Sequence, residues 1–156
     1  MSVAPAREWF DSPQPGEQRP GLRFACTLCG NCCTGPEGYV LFSPDEAAAL
    51  ASHLGLSLDE FTARYTKSTV LGPSLSEVHT PNGFDCVFLD RTSIPGKAVC
   101  GVYRHRPAQC RSWPFWPRLL KSRDDWDRAS RTCPGINKGS LIPPEEIRVH
   151  RARTPD

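Results

Sequence analysis

The residues of this 156-residue chain that could carry chemistry are its eight cysteines, four of which lie in one short run. Two residues separate Cys26 from Cys29 and Cys29 from Cys32, and Cys33 follows directly. In a C-x-x-C turn, two thiolates reach one metal ion without backbone strain, at metal–sulfur distances of about 2.3 Å. A second step of the same length adds a third thiolate. The run therefore predicts a metal-binding site.

The other thiols are dispersed, at Cys86, Cys100, Cys110 and Cys133. Because neighbouring side chains leave the backbone in different directions, Cys32 and Cys33 are expected to bind different ions. The sequence thus predicts two four-ligand centres, with Cys26, Cys29 and Cys32 at the first and Cys33 at the second. The spacing does not assign the dispersed thiols to either centre.

The spacing also leaves the identity of the metal open. Tetrahedral zinc accepts four cysteine thiolates, and C-x-x-C-x-x-C also begins the bacterial ferredoxin run, whose fourth ligand is a cysteine followed by proline. Cys133-Pro134 has that last feature, although it lies a hundred residues away from the run. The predicted cofactor is therefore either zinc or an iron–sulfur cluster.

Glycine follows several cysteines closely, at Gly30, Gly101 and Gly135. Because glycine tolerates positive φ, the chain can turn tightly there and direct backbone N–H groups at the sulfur. The basic side chains around Cys110 are Arg104, Arg106 and Arg111. They either offset the negative charge of a thiolate centre or are solvated surface charges.

The composition favours a soluble cytoplasmic protein. The first residues lack the apolar region of a secretion signal, and no run approaches the roughly 18 apolar residues of a membrane span. In a reducing compartment, clustered cysteines bind metal more often than they form disulfides; a secreted disulfide scaffold is the alternative. With 19 basic and 17 acidic residues, the net charge of +2 is too even to indicate a nucleic-acid or membrane partner.

Two groups outside the thiols have chemical potential. His105 is expected to be a surface or hydrogen-bonding residue, with metal ligation or acid–base chemistry as the alternative. The aromatic residues of 113–117, with Arg111 and Arg118 beside them, are expected to keep water from a metal centre, and stacking on single-stranded nucleic acid is the alternative. No nucleotide-binding motif is present, and no catalytic residue is predicted.

The elements that position these residues must be short, because 16 prolines interrupt the chain. Ser43 and Ser57 each begin a capping box, which predicts a first helix from Pro44 to near Gly55 and a second towards Lys67, paired as a helical hairpin. Further short helices are predicted at Pro107, ended by Pro114, and from Pro143. The stretches with strand character are 39–42, 69–71, 78–80, 86–89 and 98–102.

These elements predict an α+β fold: a small metal-stapled single domain with a helical hairpin, a short antiparallel sheet and long loops. Residues 1–21 are rich in proline and glycine and are expected to form a flexible arm. Within that arm, Trp9-Phe10 either docks on the core or contacts a partner. The metal-binding domain is then 22–150, and 151–156 form a frayed tail.

The ordered set of motifs resembles the YkgJ-type CxxCxxCC family. The residues that carry the resemblance are Phe24-x-Cys26-x-x-Cys29-x-x-Cys32-Cys33, then Cys86-x-Phe88-Leu89, then Cys100-x-x-Tyr103-x-x-Arg106-Pro107-x-x-Cys110-Arg111-x-Trp113-Pro114-Phe115, and finally Cys133-Pro134-Gly135. All eight thiols fall on this pattern.

The resemblance implies a zinc- or iron-chelating cysteine-cluster domain, in many members an iron–sulfur protein, with all eight cysteines as ligands. Most members have no assigned reaction, and the flagellin lysine N-methylases are among the relatives. This chain has no G-x-G-x-x-G turn or other recognisable adenosylmethionine site. The predicted function is metal chelation, and the alternative is an iron–sulfur redox protein or a protein-modifying enzyme of the methylase kind.

Overall fold

The computed structural model describes residues 3–154. Within them are five α-helices and four pairs of short antiparallel strands, so the predicted α+β class is confirmed. The contacts between residues divide the chain into two compact units. Of the described residues, 3–27 with 114–152 form the unit that we call the terminal unit, and 28–113 with 153–154 form the central unit.

The helical hairpin of the central unit is confirmed. Helix α1 (Pro44–Leu54) and helix α2 (Leu58–Tyr65) begin at the two predicted capping boxes, in which the serine side chain accepts from a backbone N–H three residues later. Gly55 ends α1 with a positive φ of 69°. The two helices pack against each other and bury Leu50 and Phe61 completely.

The strands of the central unit form three separate hairpin-like pairs, where the sequence predicts one sheet. They are β2 (Thr66–Thr69) with β3 (Gly72–Leu75), β4 (Glu77–Thr80) with β5 (Gly83–Cys86), and β6 (Leu89–Asp90) with β7 (Val99–Cys100). The stretch 39–42 makes only an isolated bridge, from Leu41 to Ser74. Side chains supply its other hydrogen bonds, because Val40 N–H donates to Ser74 Oγ and Leu41 N–H to Gln109 Oε1.

Helix α3 (Ala108–Arg111) follows Pro107, as predicted. The Glu46 carboxylate accepts from Ser43 N–H in the capping box of α1 and, through its other oxygen, from Ala108 N–H at 2.6 Å. One side chain therefore caps the first turns of both α1 and α3.

The terminal unit pairs β1 (Leu22–Phe24) with β8 (Ser140–Ile142), and it also contains α4 (Arg123–Ala129) and the predicted C-terminal helix α5 (Pro144–Ala152). Helix α4 is not among the predicted helices. Its signal is present in the sequence, because Ser122 is an N-cap whose side chain accepts from Asp125 N–H. Among residues 3–154, no helix is both long enough and apolar enough to span a membrane.

The stretch for which the composition predicts a flexible arm makes specific contacts in the terminal unit. Phe10 is completely buried, and Trp9 Nε1 donates to the Leu120 carbonyl at 2.8 Å. Glu8 forms ion pairs with Arg148 and Arg151. Of the two alternatives for Trp9-Phe10, docking on the protein itself is therefore the one observed.

The predicted frayed tail is described only in part. Arg151 and Ala152 end α5, and Thr154 Oγ1 lies 2.7 Å from Ser112 Oγ. Residues 155–156 lie outside the described part of the chain.

Candidate metal centre

The part of the cysteine run that lies in the central unit contains a tight turn. Gly30 has φ 76°, as predicted, and caps a short 3₁₀ helix, Asn31–Cys33. Cys33 N–H donates to the Gly30 carbonyl at 2.9 Å. A Cβ at position 30 would lie 2.6 Å from Ala98 Cβ, so only glycine fits between the run and the segment that precedes Cys100.

This 3₁₀ turn brings the adjacent thiols together. Cys32 Sγ and Cys33 Sγ lie 3.7 Å apart, which is hydrogen-bonding distance for sulfur. The expectation that the two side chains diverge is wrong for this turn. Two sulfurs on one tetrahedral ion, each about 2.3 Å from it, are about 3.8 Å apart.

Two further thiols are placed by short antiparallel pairs. Cys86 ends β5, and Cys100 lies opposite Leu89 in the β6–β7 pair. Gly101 N–H donates to the Phe88 carbonyl at 2.8 Å, which joins the chain segments that follow the two cysteines. The Cys86 and Cys100 positions are therefore fixed relative to each other by backbone hydrogen bonds.

Three thiols receive a backbone N–H from the second residue after the cysteine. Asn31 N–H lies 3.5 Å from Cys29 Sγ, Phe88 N–H donates to Cys86, and Val102 N–H donates to Cys100. Such donors favour the thiolate, which is the form that binds metal. The glycine pattern predicts this arrangement at Cys29 and Cys100, and Cys86 has it without a glycine.

The structure brings five of the eight thiols into one electrostatic neighbourhood in the central unit. We call it the five-thiol group: Cys32, Cys33, Cys86, Cys100 and Cys110. Negative charge on Cys32 raises the pKa of each of the other four. Cys110 lies on α3, and its negative charge also raises the pKa of Cys33.

Burial and mutual repulsion govern the acidity of these thiols. Burial raises the pKa of Cys86 to about 11 and that of Cys110 to about 12, and it also raises the pKa of Cys100. The hydrogen bond between the two sulfurs lowers the pKa of Cys32 to about 7 and raises that of Cys33. Ionising the whole group together thus requires compensating positive charge.

Arginines supply part of that charge, among them Arg91, which interacts with Cys33. The positive charge of Arg106 lowers the pKa of the thiols of Cys32, Cys100 and Cys110. Its guanidinium lies 3.9 Å above the Tyr103 ring centroid, and its Nε donates to the Tyr103 carbonyl. Arg111 instead donates to the Arg106 carbonyl. Of the three predicted arginines, Arg106 is the one that offsets thiolate charge.

The remaining predicted ligands are Cys26, Cys29 and Cys133. Cys26 is exposed and Cys133 is buried, both in the terminal unit. Ala25 N–H donates to the Gly135 carbonyl, and a Cβ at position 135 would lie 2.0 Å from the Ala25 carbonyl oxygen. Gly135 is thus required for close approach of the two chain segments rather than for positive φ.

The other candidate groups are placed as follows. His105 lies against His53, with ring centroids 4.3 Å apart. Phe115 stacks between Trp126 and His150 in the core of the terminal unit. Arg118 lies 5.2 Å from the Trp116 ring centroid.

The chemistry of the donor set fits a thiophilic ion. The Cys32–Cys33 separation matches two sulfurs on one ion, and backbone N–H groups already face three thiols. Across residues 3–154, no group of three or more His, Cys, Asp or Glu side chains is arranged to hold a metal ion. The five-thiol group is therefore defined here by proximity and electrostatics.

The sequence of the chain matches the model of the CxxCxxCC family, described as a "putative zinc- or iron-chelating domain", over residues 25–134. The protein belongs to this family of metal-chelating cysteine-cluster proteins. No solved structure matches the chain.

Proposed function

We propose that this protein chelates metal through the five-thiol group, with zinc or an iron–sulfur cluster as the bound species. Two Cys-ligated centres remain the expected number, and Cys26, Cys29 and Cys133 remain predicted ligands. A reducing, cytoplasmic compartment suits this function, since free thiolates are needed for binding.

The observation that carries the proposal is the 3.7 Å separation of Cys32 Sγ and Cys33 Sγ. An isolated pair of thiols gains little from such an approach, because S–H is a weak donor and both sulfurs lose hydration. A shared cation turns the same approach into a strong attraction. The expected further ligands are three more thiols of the same neighbourhood, from β5, β7 and α3, and tetrahedral coordination needs two of them.

Once bound, the ion would supply positive charge that lets several thiols ionise at neutral pH. The residues of the chain then have defined tasks. Phe88 N–H and Val102 N–H orient and stabilise the sulfurs of Cys86 and Cys100, and Arg106 offsets residual negative charge. Because binding displaces thiol protons, affinity falls as the pH is lowered.

A redox role with an iron–sulfur cluster is the second candidate. Backbone N–H groups on cluster sulfurs are a main determinant of the reduction potential, and three such donors are present. The same donors also suit zinc thiolates, so the metal must be measured.

The test is elemental analysis and an absorbance spectrum of protein purified without oxygen. Zinc gives a colourless protein with a fixed zinc ratio, whereas an iron–sulfur cluster gives iron, acid-labile sulfide and visible absorbance. Cys86→Ser and Cys110→Ser should each lose the metal of the five-thiol group. The same substitution at Cys133, in the terminal unit, is the matched control and should leave that metal bound.

Full metal content in both Cys86→Ser and Cys110→Ser would contradict the assignment of the centre. Absence of any stoichiometric metal in the unaltered protein would contradict chelation itself.

A further inference from the structure

Cys32 and Cys33 form a pair of adjacent thiols with unusual geometry and access. Their sulfurs are 3.7 Å apart and a disulfide needs about 2.05 Å, so the two sulfurs must approach each other by only about 1.7 Å. Cys32 is exposed and Cys33 is half-buried, whereas Cys133 is buried. A small solute therefore reaches Cys32 first, with Cys33 directly behind it.

We propose that Cys32 and Cys33 are a modification site for hydroperoxides, at which oxidation joins the two residues by a disulfide. The further consequence, loss of both sulfurs from a bound metal, rests on the proposed function. The disulfide itself does not, because it depends only on the two thiols and their spacing.

The reaction is a two-electron oxidation in two steps. The Cys32 thiolate attacks one peroxide oxygen, so that an S–O bond forms, the O–O bond breaks, and the leaving alkoxide or hydroxide takes up a proton. The Cys33 thiolate then attacks the sulfenic sulfur of Cys32, the S–S bond forms, and the departing hydroxide takes up the proton that Cys33 released. Two thiols and one hydroperoxide give one disulfide, one alcohol or water, and one water.

The product should be easy to reduce. Adjacent Cα atoms are about 3.8 Å apart across a trans peptide, which is shorter than the 4.4–6.8 Å of most disulfides, so the bond is strained. Strained disulfides have more oxidising potentials and are the labile ones. A dithiol reductant should therefore restore both thiols, which makes the modification reversible.

The first experiment uses the whole 156-residue chain as purified and one equivalent of hydrogen peroxide. Trypsin cleaves after Arg23 and Arg64, so residues 24–64 are released as one peptide that contains four of the cysteines. After free thiols are alkylated, mass spectrometry is expected to show two alkylated residues, Cys26 and Cys29, and a loss of about two hydrogen masses at Cys32-Cys33. Treatment with dithiothreitol should reverse the loss.

Substitutions separate this pair from the other thiols. Cys33→Ser should give no disulfide and leave a sulfenic acid at Cys32, which dimedone traps. Ser52→Ala, at an exposed position in the same peptide, is the control and should form the disulfide as the unaltered chain does. A disulfide from Cys32 to any other cysteine, or Cys32 left as a thiol after peroxide, would overturn the proposal.

The second experiment repeats the oxidation on zinc-loaded protein and measures released zinc with a colorimetric indicator. Zinc release in step with disulfide formation supports both the modification site and the metal assignment. If the disulfide forms and zinc stays bound, the modification site is supported. Cys32 and Cys33 are then not ligands of the metal. Zinc release without this disulfide contradicts the proposed modification site. It does not contradict the proposal that the protein chelates metal.

Discussion

The two units use their interiors differently. The terminal unit is held by an aromatic stack, in which Phe115 lies 5.7 Å from Trp126 and 5.4 Å from His150 between ring centroids, and by ion pairs from Glu8 to Arg148 and Arg151. The central unit has an apolar core around its helical hairpin, but its cysteine-rich part rests on strands of two to four residues and on bonds from N–H groups to sulfur.

A metal therefore contributes unequally to the stability of the two units. Burial of large apolar groups stabilises a fold without any cofactor, whereas buried thiols repel one another once they ionise. We therefore expect the terminal unit to hold its own structure without metal and the cysteine-rich part of the central unit to need it.

Removal of the metal should produce the largest change. Structural zinc can contribute about 10 kcal/mol or more to folding. A chelator should therefore abolish the hydrogen-exchange protection of the amides of Phe88, Gly101 and Val102. Strands β1 and β8 of the terminal unit should keep theirs. Hydrogen exchange followed by mass spectrometry measures both regions in one sample, and equal loss in the two units would contradict the contrast.

Trp126→Ala should have the opposite effect, because it should weaken the terminal unit and leave the metal centre unchanged. Trp126 is completely buried, stacks on Phe115 and donates from Nε1 to Asn137 Oδ1 at 2.9 Å. Its removal should lower the free energy of unfolding by about 3–5 kcal/mol. Urea unfolding and metal analysis should show a weakened terminal unit with unchanged metal content. Trp116→Ala, at a half-buried position, is the matched control and should cost clearly less.

Asp85→Asn tests the ionic support inside the central unit. Asp85 is 5% exposed, its carboxylate accepts two hydrogen bonds from Arg91, and Thr34 Oγ1 donates to it. Because Arg91 is partly exposed, we expect a loss of about 2 kcal/mol rather than the 3–5 of a fully buried pair. Glu37→Gln removes an exposed partner of Lys67 and serves as the control, with an expected effect below about 0.5 kcal/mol.

The same variant gives a pH signature. Hydrogen bonds from Arg91 lower the pKa of Asp85, so its ionised form stabilises the folded state at pH above its unfolded pKa of about 3.9. That contribution is lost as the pH falls through the folded pKa. The stability difference between the unaltered protein and Asp85→Asn should therefore shrink below about pH 4, and a difference that grows there would refute the ion pair.

Ser57→Ala should give the smallest effect. Ser57 Oγ accepts from Glu60 N–H at 3.1 Å, and the Glu60 carboxylate accepts from Ser57 N–H. Loss of this cap should cost about 1 kcal/mol in thermal or urea unfolding. Ser52→Ala, at an exposed position inside α1, is the control and should be neutral or slightly stabilising, since alanine is the better helix former. Equal effects at both sites would mean that the cap contributes nothing.

Local signals predicted the helices of the central unit well. The capping boxes at Ser43 and Ser57 and the proline at position 107 depend on neighbours within four residues, so the sequence contains all the needed information. The strands were located only roughly, and their separation into pairs was not predicted, because pairing depends on distant partners. The Ser122 cap was missed although its pattern is of the same local kind.

The candidate site shows the same division. The residue types and spacing of Cys26, Cys29, Cys32 and Cys33 were enough to predict metal binding, and the family match supports it. They were not enough to place the sulfurs, because a 3₁₀ turn and a tetrahedral site can bring adjacent thiols together where an extended chain separates them.

By itself, the sequence determined the chemistry of this protein: eight thiols in a motif typical of metal chelation, with short elements capped by local hydrogen bonds. The fold, and not the sequence pattern, places Cys32, Cys33, Cys86, Cys100 and Cys110 in one neighbourhood. The fold also assigns the buried Trp126 stack and the ion pairs of Glu8 to a different unit. The physical reason is that thiol affinity for metal is a property of each residue, whereas proximity depends on how distant segments pack.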